Sequence, residues 1–349
     1  MAALLAGILA APLPALAADA GRCGLAKVME LPVRLEGGRV VAEGTINGKP
    51  IRIILDTGSY KTLIPLAAAR RLELDPQLLA SLGHGKGIGG TAAMGSVPVR
   101  SLTIGDWRAD AMNMQILDKD LGPNTDLLLG QDFFSQADLE LDVAHGMVRM
   151  LRPENCEDVP LAYWSDHYAE VPMRLPQGRR IGNELRVALN GYEFWAKLDT
   201  GAPSSSVQAC VAHLAGVHET DPGVVAGADS HGIGKKAVPT WIGTFDRFTV
   251  GDEVLRPVRL RVGDFGGCED VQRADFHGML LGLDFIRAHH IYLANSRGRA
   301  YLTLLDEPGA ANRGPIFTPF TKQAPGGPPP EPAPGGPPPE PERDPAAGD

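Results

Sequence analysis

Clusters of basic residues are absent from this chain. Lys and Arg number 33 against 42 Asp and Glu, a formal charge of −9, and the cations are scattered. A surface of that sign repels phosphate backbones and anionic lipid, which argues against nucleic acid as a partner. Cysteine is scarce: Cys23, Cys156, Cys210 and Cys268 are far apart and never form C-x-x-C, so no zinc pattern is present. His289 and His290 lack a third ligand at metal spacing and are expected as surface or half-buried histidines. No metal and no cofactor is therefore expected. No G-x-S-x-G occurs, and Ser204, Ser205 and Ser206 read as helix caps rather than nucleophiles.

Long apolar runs are missing as well. The most apolar stretch, MAALLAGILAAPLPALAADA (1–20), is short for a bilayer crossing and broken by proline. Its small residues and Ala15-Leu16-Ala17 fit a cleaved secretory signal, although no Lys or Arg precedes the apolar part. No Cys follows that site directly, so a lipid anchor lacks support. The expectation is a periplasmic or secreted protein with no membrane span in its mature form. At the other end, APGGPPPEP occurs twice in succession (324–332 and 333–341). Proline-rich sequence of this kind buries no core, so 307–349 is expected as a disordered tail.

What the chain does contain is an internal repeat. Asp-Thr-Gly occurs twice, each time closing a short hydrophobic run: IRIILDTGS, with Asp56, and FWAKLDTGA, with Asp199. A Gly-rich stretch follows each copy, GHGKGIGG (83–90) and HGIGKK (231–236). An apolar-apolar-Gly element comes next, in DLLLGQDFF (126–134) and GMLLGLDFI (278–286). Gly87 lies 31 residues after Asp56 (87 − 56), and Gly232 lies 33 after Asp199 (232 − 199). Gly130 and Gly282 lie 74 and 83 residues after their aspartates (130 − 56, 282 − 199), so the second copy carries a modest insertion. Three elements in one order, twice, define a repeat. Two facing carboxyls cannot both ionise, and a pair sharing one proton can activate water with no metal and no covalent intermediate.

Local signals fill in the plan. Asn47-Gly48 and Asn190-Gly191 are strong hairpin turns just ahead of the two Asp-bearing strands. Gly-Asp turns at 105–106 and 251–252 separate further alternating runs. Short helices are expected at 65–74, with Pro65 at its start, and at 204–216. The expected organisation is lobe 1 at 28–152, a linker at 153–170 and lobe 2 at 171–306, each lobe mostly β and of ordinary domain size. In an oxidising compartment four cysteines allow three pairings. Cys23 and Cys156 flank lobe 1, so Cys23–Cys156 and Cys210–Cys268 are the expected bridges.

At these residues the chain resembles the aspartic proteases of the retropepsin and pepsin clan. Their pattern is hydrophobic-hydrophobic-Asp-Thr-Gly-Ser/Ala, then a flap hairpin, then hydrophobic-hydrophobic-Gly. Both halves carry it, so the resemblance spans roughly 28–305, in the form of a tandem, single-chain, bacterial-type retropepsin-like protein. No Tyr stands in the Gly-rich stretches where a pepsin flap would place one. The resemblance implies two homologous retropepsin-like β-barrel lobes with short helices. It implies catalysis by Asp56 and Asp199, with Thr57 and Thr200 bonding across the lobes. Gly58 and Gly201 would present backbone N–H groups to the carboxylates. Ser59 can bond its aspartate where Ala202 cannot. Gly130 and Gly282 would lie beneath the aspartate loops. Gly87, Ile88 and Gly89, with Gly232, Ile233 and Gly234, would form flaps over a polypeptide substrate. Two alternatives stay open: a non-catalytic peptide-binding module of the same fold, and a dimer with composite sites. The linker is long enough for the lobes of one chain to pair, which favours a monomer.

Overall fold

The structure, a computed structural model, describes residues 22–75, 84–122, 124–174, 183–269, 271 and 276–305. The expected signal (1–20) and tail (307–349) lie outside the described residues. All described residues belong to one unit, Met1–Pro319. They form a mostly β protein built on two sheets.

The two repeats make the same central motif. In the first, Lys49–Leu55 pairs in parallel with Leu127–Leu129. Leu63–Pro65 runs antiparallel beside the latter and in parallel with Trp107–Leu117. In the second, Tyr192–Leu198, Met279–Leu281, Ser206–Gln208 and Val258–Gly263 follow in the same order and the same senses. Parallel central strands are covered on both faces and read as continuous apolar runs. Ile51, Ile53, Ile54 and Leu55 are accordingly all buried.

The hairpin signals hold. Asn47 and Gly48 have φ of 52° and 79°, and Asn190 and Gly191 have 48° and 91°. A two-residue type I′ turn requires positive φ at both positions, which Asn-Gly accepts at least cost. These turns fix the register of Arg39–Ile46 on Lys49–Leu55 and of Glu184–Leu189 on Tyr192–Leu198. Register in turn decides which side chains reach the end of each Asp-bearing strand.

A six-stranded antiparallel layer joins the halves. Gly24–Pro32, Met147–Glu154 and Asp138–Asp142 come from the first repeat, and His289–Ala294, Arg299–Leu304 and Ala169–Arg174 from the second. The halves meet where Leu139 and Leu141 pair with Leu293 and Ile291. Between these leucines Glu140 is fully buried. It bonds His290 at 2.8 Å, Tyr163 at 2.8 and 2.9 Å, and Arg149 at 2.9 Å. Both expected disulfides, Cys23–Cys156 and Cys210–Cys268, are formed. The stretch 153–170 packs closely: Leu161 and Ala162 are buried with Cys156, and Trp164 stacks on His290 at 3.9 Å.

Three local expectations are corrected. His289 and His290 are buried, not at the surface, because each imidazole finds a polar partner inside. His289 bonds the Phe285 carbonyl at 2.7 Å and faces Glu253 at 3.2 Å, while His290 bonds Glu140. The serines cap no helix. Ser206 begins a strand, the helix is Ala209–Leu214, and its N-cap residue Gln208 makes no side-chain cap bond. The first helix is only Leu66–Arg71, since Pro65 is held in the strand Leu63–Pro65.

Candidate active site

Each Asp-Thr-Gly leaves a buried strand and turns sharply. Asp56 N–H still donates to the Leu129 carbonyl at 2.9 Å, and Asp199 N–H to Leu281 at 2.8 Å, so each aspartate is the last rung of a parallel ladder. The turns close through Ser59 N–H to the Asp56 carbonyl and Ala202 N–H to the Asp199 carbonyl.

The two loops face each other and interlock. Thr57 N–H donates to Thr200 Oγ1 at 2.9 Å, and Thr200 N–H to Thr57 Oγ1 at 3.0 Å. The hydroxyls donate onward across the pair, Thr57 to the Leu198 carbonyl and Thr200 to the Leu55 carbonyl, both at 2.8 Å. Both threonines are fully buried, so every donor and acceptor in this square needs its partner. Asn183 Nδ2 adds bonds to the Thr57 and Leu198 carbonyls, at 2.7 and 2.6 Å, and Gln131 Nε2 to Thr57 at 3.0 Å.

This square brings the aspartates together. A Cβ on Gly201 would come within 2.5 Å of Asp56 Cγ, and one on Gly58 would overlap the Asp199 carboxyl. Only glycine leaves room for the opposing carboxyl. Asp56 and Asp199 are half-buried and hydrogen-bond to each other. Burial, then the Asp199 charge, pushes the Asp56 carboxyl up to about 8, against bonds from the Ser59 and Gly58 N–H groups. Asp199 is also raised by burial, opposed first by the nearby Lys197 ammonium and then by Gly201 N–H at 2.8 Å. The two carboxyls titrate as one unit, and the Lys197 cation lies on the Asp199 side of it. The asymmetry expected from the Ser59 hydroxyl is not formed, since Ser59 Oγ donates to the Lys61 carbonyl at 2.8 Å and its backbone N–H serves Asp56.

Gly130 and Gly282 lie under the loops. A Cβ on Gly130 would come 2.5 Å from the Lys61 carbonyl carbon, and one on Gly282 2.6 Å from that of Ser204. Beside them stands a pair of aspartates that motif reasoning missed. Asp132 accepts from Thr62 N–H and Oγ1 at 2.8 and 2.7 Å, while Gly130 N–H donates to that hydroxyl at 3.1 Å. Asp284 accepts from Ser205 N–H and Oγ at 2.8 and 2.7 Å, while Gly282 N–H donates to Ser205 at 2.9 Å. The signal was present: both apolar-Gly elements continue Gly-x-Asp-Phe, GQDF and GLDF.

The Gly-rich stretches meet at their tips. His84–Gly87 and the strand from Gly90 form a hairpin turning at Ile88 and Gly89, where Gly89 has φ 78°. The second stretch is a wider loop closed by Ser230 and Val238. Gly234 N–H donates to the Ile88 carbonyl at 2.9 Å and Lys236 N–H to Gly89 at 3.1 Å. A Cβ on Gly232 would come 2.7 Å from Ile88 Cβ. Ile233 packs on Leu63, Ala92, Leu117 and Leu128 of the first repeat, and Gly87 faces it.

Comparison with known proteins agrees with this geometry. An aspartyl protease family model matches residues 42–133 and 185–285, one segment for each aspartate loop. The chain belongs to the aspartyl protease family. Among solved structures, an aspartic proteinase from Irpex lacteus matches with a TM-score of 0.50 and 11% identity, covering 83% of this chain and 100% of that one. At that identity the likeness establishes the fold. No curated protein sequence matches. Among the described residues of this aspartyl protease family member, no helix is long and apolar enough to cross a membrane.

Proposed function

We propose that the chain is an aspartic endopeptidase acting on extended polypeptides through an Asp56/Asp199 pair. The observation that carries this reading is the pair itself: two carboxyls bonded to each other, raised in proton affinity, and held by a reciprocal threonine square. One aspartate of the pair, ionised, takes a proton from water as the water oxygen adds to the scissile carbonyl carbon. The other gives its proton to the carbonyl oxygen, forming a neutral diol. Collapse of the diol breaks the C–N bond, with the first aspartate protonating the leaving amine and the second recovering its proton. The polypeptide lies as an added strand beneath the Gly-rich tips, side chains alternating between the lobes. The tips, bonded to each other, part to admit it and then exclude water.

Both aspartate loops come from one chain, which supports action as a monomer. Two disulfides and the sequence of residues 1–20 support a periplasmic or secreted location. The test is incubation with a peptide library across pH, read by mass spectrometry, for the wild type, Asp56→Asn and Asp199→Asn. Cleavage by the wild type and none by either variant is expected. Wild-type turnover in either variant overturns the shared-pair mechanism, and peptide binding without cleavage favours a binding module.

A further inference from the structure

Among the differences between the two strands that deliver the aspartates, one falls two residues before each aspartate. Side chains two residues apart point to the same face of a strand. Both aspartates remain in their ladders, so this alternation runs through them. The residue sharing each aspartate's face is therefore Ile54 in the first repeat and Lys197 in the second. Ile54 is 2% exposed and lies in register between Val41 and Leu128, an apolar row. Lys197 is half-buried and lies in register between Glu184 and Leu280.

A half-buried ammonium serves the fold poorly at this place. The first repeat builds the same strand arrangement with isoleucine, and taking a cation partly out of water costs stability unless it is paired. Among the described residues the Lys197 ammonium makes no hydrogen bond or close ion pair, and the charge it acts on is that of Asp199. The carboxylate beside it, Glu184, is engaged by Arg174 at 2.7 Å. The matched place in the first repeat is apolar: Leu128, in register with Ile54, packs with Leu63, Ala92 and Leu117, and Ile233 from the second Gly-rich tip is only partly buried against them.

We propose that Lys197 is a specificity-determining residue. The second repeat receives an acidic side chain of the polypeptide next to the scissile bond, and the first repeat receives an apolar one. This rests on the endopeptidase reading above. A glutamate side chain beside Asp199 meets the Lys197 ammonium, which offsets repulsion from the singly charged pair. An apolar side chain on the other side adds to the Leu63 and Leu128 surface beside Ile233. Substrate is thus read with opposite polarity on the two sides of the cleaved bond.

The test uses matched peptides with an apolar residue on one side of the cleaved bond and Glu, Gln or Lys on the other, in both orientations. A charge-assisted contact predicts that wild type prefers Glu over Gln by about tenfold in kcat/KM, in one orientation only, with Lys worst. In Lys197→Met and Lys197→Gln the Glu-to-Gln ratio falls to about one, and Lys197→Arg keeps it above one, on the same reasoning. The ratio is internal to each variant, so altered folding does not mimic the result, and reading it across pH above the ordinary Glu value, where the substrate carboxyl stays ionised, separates a direct contact from a shifted titration of the pair. Cleavage by the wild type without a Glu preference, or a preference retained in Lys197→Met, overturns this inference alone. Failure of the wild type to cleave any peptide in the set overturns the endopeptidase reading and this inference with it.

Discussion

Removing one charge from the aspartate pair should make the protein more stable at high pH. A raised folded-state pKa means that folding favours the protonated form. Asp56 therefore contributes stability below its unfolded value of about 4, and that contribution is lost as pH rises through about 8. From 3.8 to about 8, at about 1.36 kcal/mol per pH unit, the upper bound is about 6 kcal/mol. The aspartate is half-buried and water reaches it, so screening brings the expected loss to about 2–4 kcal/mol. Asp56→Asn keeps the shape and removes the ionisation. It should match the wild type within about 1 kcal/mol at pH 4.5 and exceed it by about 2–4 kcal/mol at pH 8. Asp199→Asn should gain less, because it leaves the Lys197 cation without its nearby anion. Guanidinium unfolding with disulfides intact, fitted at both pH values with the slope checked for constancy, measures this. An Asp56→Asn variant that is less stable than wild type at pH 8, or displaced equally at both pH values, would refute the argument that burial and the neighbouring charge strain this pair.

Thr57→Val leaves the buried Thr200 N–H without its acceptor, and Thr200→Val does the reverse. Each should cost about 2–4 kcal/mol in denaturant unfolding, and a loss under about 0.5 kcal/mol would show the square to be dispensable. Glu140 provides a second pH signature of opposite sign. Burial pushes its carboxyl up, but the bonds from His290 and Tyr163 and the charge of Arg149 outweigh this and hold it below its usual value. Its contribution is present above the unfolded value of about 4.3 and is lost as pH falls through the lowered one. Glu140→Gln should cost about 3–5 kcal/mol at pH 7, with the difference from wild type shrinking as pH falls below about 4. An unchanged difference down to pH 3 would count against an ionised Glu140.

The aspartate loops, the glycines beside them and the Asn-Gly turns were legible because they are local. A left-handed turn, a strand ending in Asp-Thr-Gly and a glycine forced by crowding each leave a mark within a few residues. The bridges Cys23–Cys156 and Cys210–Cys268 were legible because each pair stays within one half. Residues whose partners are remote in sequence were not. Ser205 looked like a helix cap until Asp284, 79 residues away, proved to be its partner. His290 looked half-exposed until Glu140, 150 residues away, and the face of Trp164 enclosed it. Ser59 against Ala202 was the visible difference between the repeats, yet the Ser59 hydroxyl turns away to Lys61.

Chain order alone specified two copies of one strand-and-turn design, because hydrophobic runs, turn residues and repeat spacing act over short separations. Tertiary structure alone decided how the copies meet. Reciprocal threonine bonds draw the carboxyls together, and the six-stranded layer joins the halves around a buried Glu140. The ladder then sets Lys197 and Ile54 on corresponding faces beside the two aspartates. The threonine square and the Glu140 cluster depend on contacts between segments more than a hundred residues apart, where side-chain desolvation and hydrogen-bond satisfaction, not local propensity, select the arrangement.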